Sequence, residues 1–411
     1  MAFRFCFIYF GMFVLASQVS GSLLPVISFR GLGPLWPMRN ITLWIAQHIF
    51  GVPPTESSLD PGKGGETVFF LVLLAWILFL ALAATALWSF WDRKSANHNA
   101  LNKWFRLLLR MGLAAQMLEY GMTKVIPNQF EPPSLATLVT PAGNLSLNNM
   151  LWASIGAAPA YQIFTGIAEL VAGILLLIPR TTLLGALLCL ADLGLVLSLN
   201  LSYDIGLKLT TIHLILLTLY VLSLYYRRLA NLFVFGRATE VAGEPPLLDR
   251  AAANRVAVGA QVLAGLCLIG ILAFINLNFW YAKGGGQPRS VLYGIWDVEQ
   301  LSIDGVARVP ALNDYDRRWR RAIFDEPGRM LFQRTDDSFA HYDVLINDSR
   351  STVSLRKPNS TSWRAEFSFR RPSVDRLLLS GEMDGLRIEA QFRLVEMDTL
   401  PLLNSGFRWL R

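Results

Sequence analysis

Ionisable side chains interrupt the long apolar runs of this sequence at Arg110, Glu119, Lys124, Glu169, Asp192, Lys208 and His213. Each such group costs about 2.5–3.5 kcal/mol at the centre of a bilayer, so those that persist face a bundle interior and pair with one another or serve a site. Helical spacing puts Tyr120 and Lys124 on one face and Glu169 with Gly173 on another. Small Gly166 and Gly173 on either side of Glu169 would let a neighbouring backbone come close. A bare Glu169 carboxylate at mid-membrane needs Arg110 or Lys124 as partner, or a proton. The chemistry that fits is a polar pocket for a small polar molecule or a quinone head group. Lys124 and Tyr120 would donate hydrogen bonds, and Glu169 and Asp204 would accept protons. Asn200, Tyr203 and Lys208 would complete the site, with Glu119, Arg110, Glu66 and His48 at its edge. Glu66 would also favour the N-terminus of the helix it precedes. The competing reading makes the same charges interhelical ties with no ligand. Solitary His213 and Asp192 read as helix-to-helix hydrogen bonds.

No metal-ligand spacing, nucleophile elbow, P-loop or dinucleotide fingerprint occurs. The four histidines, His48, His98, His213 and His341, are far apart in sequence, so haem or zinc is not expected. Cys6, Cys189 and Cys267 all fall in apolar runs and form no redox motif, and read as buried small apolar residues.

The elements that position these groups follow from composition. Of 411 residues, 53% are hydrophobic and 16% charged, which points to lipid as the solvent. A crossing helix needs about 20 apolar residues, and seven stretches approach this: 3–24, 67–91, 105–126, 160–178, 181–201, 207–226 and 256–281. The first can also be read as a cleaved signal peptide. Arg93, Lys94 and Lys103, then Arg180, then Arg227, Arg228, Arg237, Arg250 and Arg255 mark three loops as cytoplasmic. Loops 25–66, 127–159 and 202–206 then face outward, the N-terminus lies inside and residues 283–411 lie outside. Trp36, Trp44, Trp88, Trp91, Trp104 and Trp280 read as interface anchors. The net charge of +7 is dispersed, which argues against nucleic acid.

After Lys283 the apolar period shortens to about two. Short segments at Tyr293–Leu301, Trp319–Phe324, Met330–Arg334, Ala340–Ile346, Thr352–Leu355, Trp363–Arg370, Arg376–Leu379, Leu386–Leu394 and Phe407–Leu410 are separated by turns such as Asp304-Gly305, Glu326-Pro327-Gly328 and Asp384-Gly385. They predict an all-β antiparallel barrel or sandwich. Gly294-Ile-Trp296 with Arg408 is reminiscent of lipocalin-type barrels, in which a Trp closes the base under an Arg. The run Arg317-Arg318-Trp319-Arg320-Arg321, flanked by Asp314, Asp316, Asp325 and Glu326, reads as a solvated strand face with cross-strand ion pairs.

Family resemblance enters at Arg110-Met-Gly112, Glu119-Tyr120-Gly121-Met-Thr-Lys124, Pro159-Ala-Tyr161 through Glu169 and Gly173 to Pro179-Arg180, and Asn200-Leu-Ser-Tyr203-Asp204 with Lys208. In this order they resemble the DoxX family of bacterial membrane proteins over residues 104–226. The resemblance implies a four-helix membrane module. It also implies an association with sulfur oxidation using quinone as acceptor, or with redox-stress complexes. The expected organisation is two spans with an outer loop (1–103), the DoxX-like module (104–226), a cytoplasmic linker and last span (227–282) and an outer β domain (283–411). The expected function is redox-associated, at most as a membrane subunit of a quinone-linked oxidoreductase in a bacterial inner membrane. The β domain would dock a periplasmic partner. A membrane scaffold or assembly factor is the alternative, and a small-solute transporter the third reading.

Overall fold

A computed structural model describes residues 1–26, 30–61, 65–92, 98–239, 244–310, 318–358, 360 and 362–404. The chain forms two compact units, Met1–Gln129 with Ala160–Phe279, and Phe130–Pro159 with Trp280–Arg411. The outer loop of the expected four-helix module therefore folds with the β domain.

The first unit is helical: α1 (Ala2–Ala16), α2 (Gln18–Leu23), α3 (Met38–His48), α4 (Val68–Trp91) and α5 (Asn99–Val125) come first. Two short helices of the second unit follow, α6 (Leu135–Val139) and α7 (Leu147–Gly156), and then α8 (Pro159–Leu177), α9 (Thr182–Ser202), α10 (Lys208–Leu222), α11 (Tyr226–Phe233) and α12 (Ala251–Ala282). Among the described residues, five helical stretches are long and apolar enough to cross a membrane: α4, α8, α9, α10 continued through α11, and α12. Helix is the form that satisfies every backbone polar group within one such segment.

Two of the seven expected spans differ from a plain apolar helix. The first breaks at Ser17, whose extended backbone ends α1 and whose hydroxyl accepts from Val19 to start α2. The amides of Leu32 and Gly33 take the carbonyls of Leu15 and Ala16 at this break (3.1 and 3.0 Å). A Cβ on Gly31 would lie 1.9 Å from the Ser17 carbonyl oxygen, so only glycine admits this approach. The other exception is α5, which carries Lys103, Arg106, Arg110, Glu119 and Lys124. It buries Arg106, Arg110 and Lys124 and thus runs through the interior of the unit.

Contacts at helix ends fix the helix directions. Arg4 binds the Asp92 carboxylate (3.0 Å) beyond the end of α4, so α1 and α4 are antiparallel. Arg106 donates to the carbonyls of Tyr220 and Val221 at the end of α10 (3.2 and 2.7 Å), while Lys124 meets Glu169 of α8. Asn200 of α9 binds Thr211 of α10 (3.0 Å). Arg110 meets Gln261 and Asn128 meets Asn276, so α5 and α12 run parallel.

The second unit contains β1 (Gly294–Ile303), β2 (Val306–Ala307), β3 (Trp319–Phe324), β4 (Arg329–Arg334), β5 (Phe339–Asn347), β6 (Thr352–Arg356), β7 (Arg364–Ser373), β8 (Arg376–Met383) and β9 (Leu386–Leu394). Every pairing is antiparallel between neighbours β1-β3-β4-β5-β6-β7-β8-β9, and β9 returns to β1 with Trp296 opposite Leu394. This closes an eight-stranded barrel with β2 as a short flap on β1, and closure leaves no unpaired edge. Of the two architectures expected, the barrel forms. Asp304-Gly305 and Asp384-Gly385 both adopt positive φ at both residues, the turn that suits two-residue hairpins.

Trp296, Trp319, Phe324, Phe332, Phe367 and Phe392 are buried together inside, and Trp319 stacks on Phe332 at 3.8 Å. Trp296 donates from Nε1 to the Leu292 carbonyl (2.8 Å), and the guanidinium of Arg371 lies 5.4 Å from its ring. Arg408, expected over this Trp, lies outside the described residues, as do Phe407–Leu410, Arg93, Lys94, Asp314, Asp316 and Arg317. Of the neighbouring arginines, Arg321 pairs across strands with Asp297 (2.7 Å) and Arg320 pairs with Asp337 in the turn between β4 and β5 (2.5 Å).

On the barrel's outer surface, α6 seats Leu135 against Ile295 and Ile323. Asp325 caps this helix by accepting from the Leu135 amide (2.7 Å), and Gln333 donates to the Val139 carbonyl (3.2 Å). Burial raises the Asp325 carboxyl above its ordinary value, and the Leu135 amide only partly offsets this. A group raised by folding stabilises most below its unfolded value of about 3.9 and loses that contribution as pH rises through the folded value. Asp325→Asn is therefore expected to remove a loss of barrel stability that the wild type shows as pH rises from about 4, read as the unfolding midpoint of the full chain in detergent at several pH values. Parallel wild-type and variant curves would contradict this.

Candidate functional site

The site is built where α5 crosses α8. A Cβ on Gly166 would lie 2.7 Å from the Cβ of Lys124 and 2.8 Å from the Gly121 carbonyl oxygen. A Cβ on Gly121 would meet Gly166 and Leu170 at 2.7 Å. The two backbones touch because neither residue has a side chain. This contact sets Lys124 Nζ directly against Glu169 Oε1. Glu169 has no solvent exposure, and Lys124 has 8%.

The pair extends onto α9 and α10. The Asp192 carboxyl of α9 neighbours Glu169, and Glu169 Oε2 and Asp192 Oδ2 are buried without a hydrogen-bond partner among the described residues. Cys189, one turn earlier on α9, lies 3.6 Å from the Thr218 hydroxyl of α10. All four helices of the expected module thus contribute to one buried polar cluster. Asp192 belongs to it, an inter-helix neighbour as its reading expected, and so does Cys189.

Toward the other end of α5, the ring of Tyr120 faces the Lys124 ammonium at 5.9 Å. The Tyr120 hydroxyl accepts from Gln18 Nε2, and Glu119 accepts from the Ser22 hydroxyl, both on α2. Gln18 stands on the wall of a cavity of about 200 Å³. Its polar lining includes Ser17, Gln18, Arg30, Thr67 and Thr210, and its apolar lining Phe70, Leu73 and Leu207. Sequence reasoning passed over Gln18, Thr67 and Thr210. The available signal was Ser17-Gln18, a polar pair inside an apolar run of the kind that marks a broken membrane helix.

The remaining predicted residues separate into other roles. Asn200 ties α9 to α10 through Thr211 and the Leu207 carbonyl (3.0 and 3.3 Å). Tyr203 ends α9. Asp204 is exposed in the turn with φ 53°, where the Lys208 ammonium at 2.6 Å holds its carboxyl below the ordinary range. Glu66 does not serve the helix it precedes. Thr67 caps α4 (3.4 Å), and Glu66 instead accepts from the amides of Leu209 and Thr210 at the start of α10. It thereby fixes the wall of the cavity formed by Leu207 and Thr210. Arg110 is not the partner of Glu169, because it donates to Thr182 (3.0 Å) and Gln261. His48 is exposed and stacks on Trp44 at 4.9 Å. His213 joins α10 to α1. Its Nδ1 lies 2.7 Å from the Leu209 carbonyl, which makes it the donor there and leaves Nε2 to accept from the Tyr9 hydroxyl (2.7 Å).

Among the described residues no group of three or more His, Cys, Asp or Glu side chains could hold a metal ion. Comparison with curated proteins finds 29% identity over 137 residues with the Bacillus subtilis (strain 168) uncharacterized protein YwoB, covering 33% of this chain and 85% of YwoB. No family model matches the chain, and no solved structure matches it.

The crossing makes a direct prediction. Gly166→Ala drives a methyl group into Lys124 and the Gly121 carbonyl, so it should cost about 1–3 kcal/mol by overpacking and lower the unfolding midpoint in detergent. Gly194→Ala, where a Cβ meets nothing within 4 Å, serves as the control and should be neutral. Equal behaviour of the two variants would contradict the close crossing.

Proposed function

We propose that this chain is an integral membrane protein of the DoxX type whose cavity beside Gln18 holds a small polar head group, such as that of a quinone. The carrying observation is the link from that cavity through Gln18 to Tyr120 and on to the Lys124 ammonium. Pockets for small molecules combine an apolar lining with a few polar groups that orient the ligand. At about 200 Å³ the cavity is below the roughly 300–1,000 Å³ of drug-sized sites, which suits one ring rather than a whole lipid-soluble molecule. Amide, hydroxyl and guanidinium donors on its wall match the two carbonyl acceptors of a quinone, and Phe70 and Leu73 match its ring faces.

The topology belongs to the same reading. Seven spans, including the broken first helix and the charged α5, alternate in direction as membrane crossings must, and the helix-end contacts agree with this order. With the Lys- and Arg-rich loops inside, the break at Ser17, the cavity and the barrel fall on the outer side of a bacterial inner membrane. The filled interior of the barrel suits docking of a periplasmic or membrane redox partner better than carriage of a ligand. The matched stretch of YwoB, a third of this chain, is consistent with a compact module to which other segments are joined.

The second reading, a scaffold or assembly factor, is favoured by the partners of the buried cations. Arg4, Arg106, Arg110 and Lys124 all have protein acceptors, so the bundle holds together without a ligand. A small-solute transporter fits least, since among the described residues the first expected span alone is interrupted by extended backbone.

Extraction of the purified protein separates the first two readings. Wild type should release a specific quinone, and Gln18→Leu and Thr210→Phe should lose it, by at least tenfold, while retaining the wild-type unfolding midpoint. A wild type that releases nothing specific, or variants that release as much as wild type, would favour the scaffold.

A further inference from the structure

The buried cluster holds two carboxyl groups and one ammonium. The ionisable groups that face Glu169 and Asp192 from the packed helices are Lys124 and Tyr120 of α5 and Cys189 of α9, while α10 contributes the neutral hydroxyl of Thr218. If both carboxyls were ionised, the fully buried Glu169 and the partly buried Asp192 would share one ammonium, an excess of negative charge that proteins relieve by taking up a proton. Two facing carboxyls in such a site titrate as a pair and share the proton. Glu169 Oε2 and Asp192 Oδ2, buried and unpartnered, leave room for that O–H.

We propose that Glu169 and Asp192 hold one exchangeable proton between them, making the cluster a proton-binding site inside the helical unit. Lys124 balances the remaining charge and orients the shared pair. Tyr120 stands between the cluster and the cavity wall, its ring 5.9 Å from the Lys124 ammonium and its hydroxyl accepting from Gln18. The site needs no bound quinone, so it stands or falls separately from the ligand assigned to the cavity.

Infrared spectroscopy of the full chain in lipid nanodiscs at neutral pH tests this through the carbonyl-stretch band of a protonated carboxyl. Wild type should show such a band, shifted in deuterated buffer. Asp192→Asn and Glu169→Gln should each abolish it, and Glu119→Gln, which alters the partly buried carboxyl of α5, should leave it. Asp192→Glu keeps two carboxyls and should move the band without removing it, which covers the case in which Asp192→Asn fails to fold. No band in wild type, a band surviving both amide variants, or a band lost only in Glu119→Gln would overturn the proposal.

Discussion

The helical unit depends on the contact of Lys124 with Glu169. Neither charge is tolerable in an apolar interior without the other, and the contact exists only because Gly121 and Gly166 let α5 and α8 touch. From this crossing the structure builds outward in two directions. Asp192 and Cys189 bring in α9, and Thr218 brings in α10. Tyr120 leads the other way, through Gln18, to the cavity beside the break in the first span. Burial of one ion pair therefore fixes the mutual placement of the module's four helices. Buried pairs are weak sources of net stability but strong determinants of register. Here the register determines which polar groups line the cavity.

The second unit follows a different physical rule. A sheet must cover its unpaired edges, and the barrel does so by returning β9 to β1. Its interior is filled with aromatic side chains, and its outer surface takes the segment between α5 and α8 as a docked helix. Asp325 and Gln333 supply the polar ends of that docking, while Leu135 supplies the apolar seat. A loop leaving one pair of helices and a domain leaving the last helix are thus one folded body.

Much of this was legible from residue order. The apolar runs had to be helices, because lipid offers the backbone no other partner, and Asp304-Gly305 and Asp384-Gly385 had to be hairpin turns. Lys124 and Glu169 were legible as a possible pair because a bare carboxylate demands a cation. The rest depended on tertiary neighbours that spacing does not reveal. Arg110 was an equally good partner for Glu169 until Gln261, on a helix 151 residues further along the chain, claimed it. Glu66 sits at the start of α4 in sequence, yet its carboxylate is turned to the amides of α10. The break at Ser17 depends on Gly31 and Gly33 reaching back to the helix end, so Gln18 looked like an ordinary residue of a continuous span. Asp192 looked solitary because its neighbour lies on another helix.

Charge exchange across the crossing tests the central dependence most directly. Lys124→Glu or Glu169→Lys alone places like charges together in a buried site, where breaking a pair costs about 3–5 kcal/mol, so each should strongly lower the unfolding midpoint of the purified chain. The double exchange restores opposite charges at the same contact and should recover most of that loss. Single variants with wild-type midpoints, or a double variant as unstable as the sum of the singles, would contradict the account.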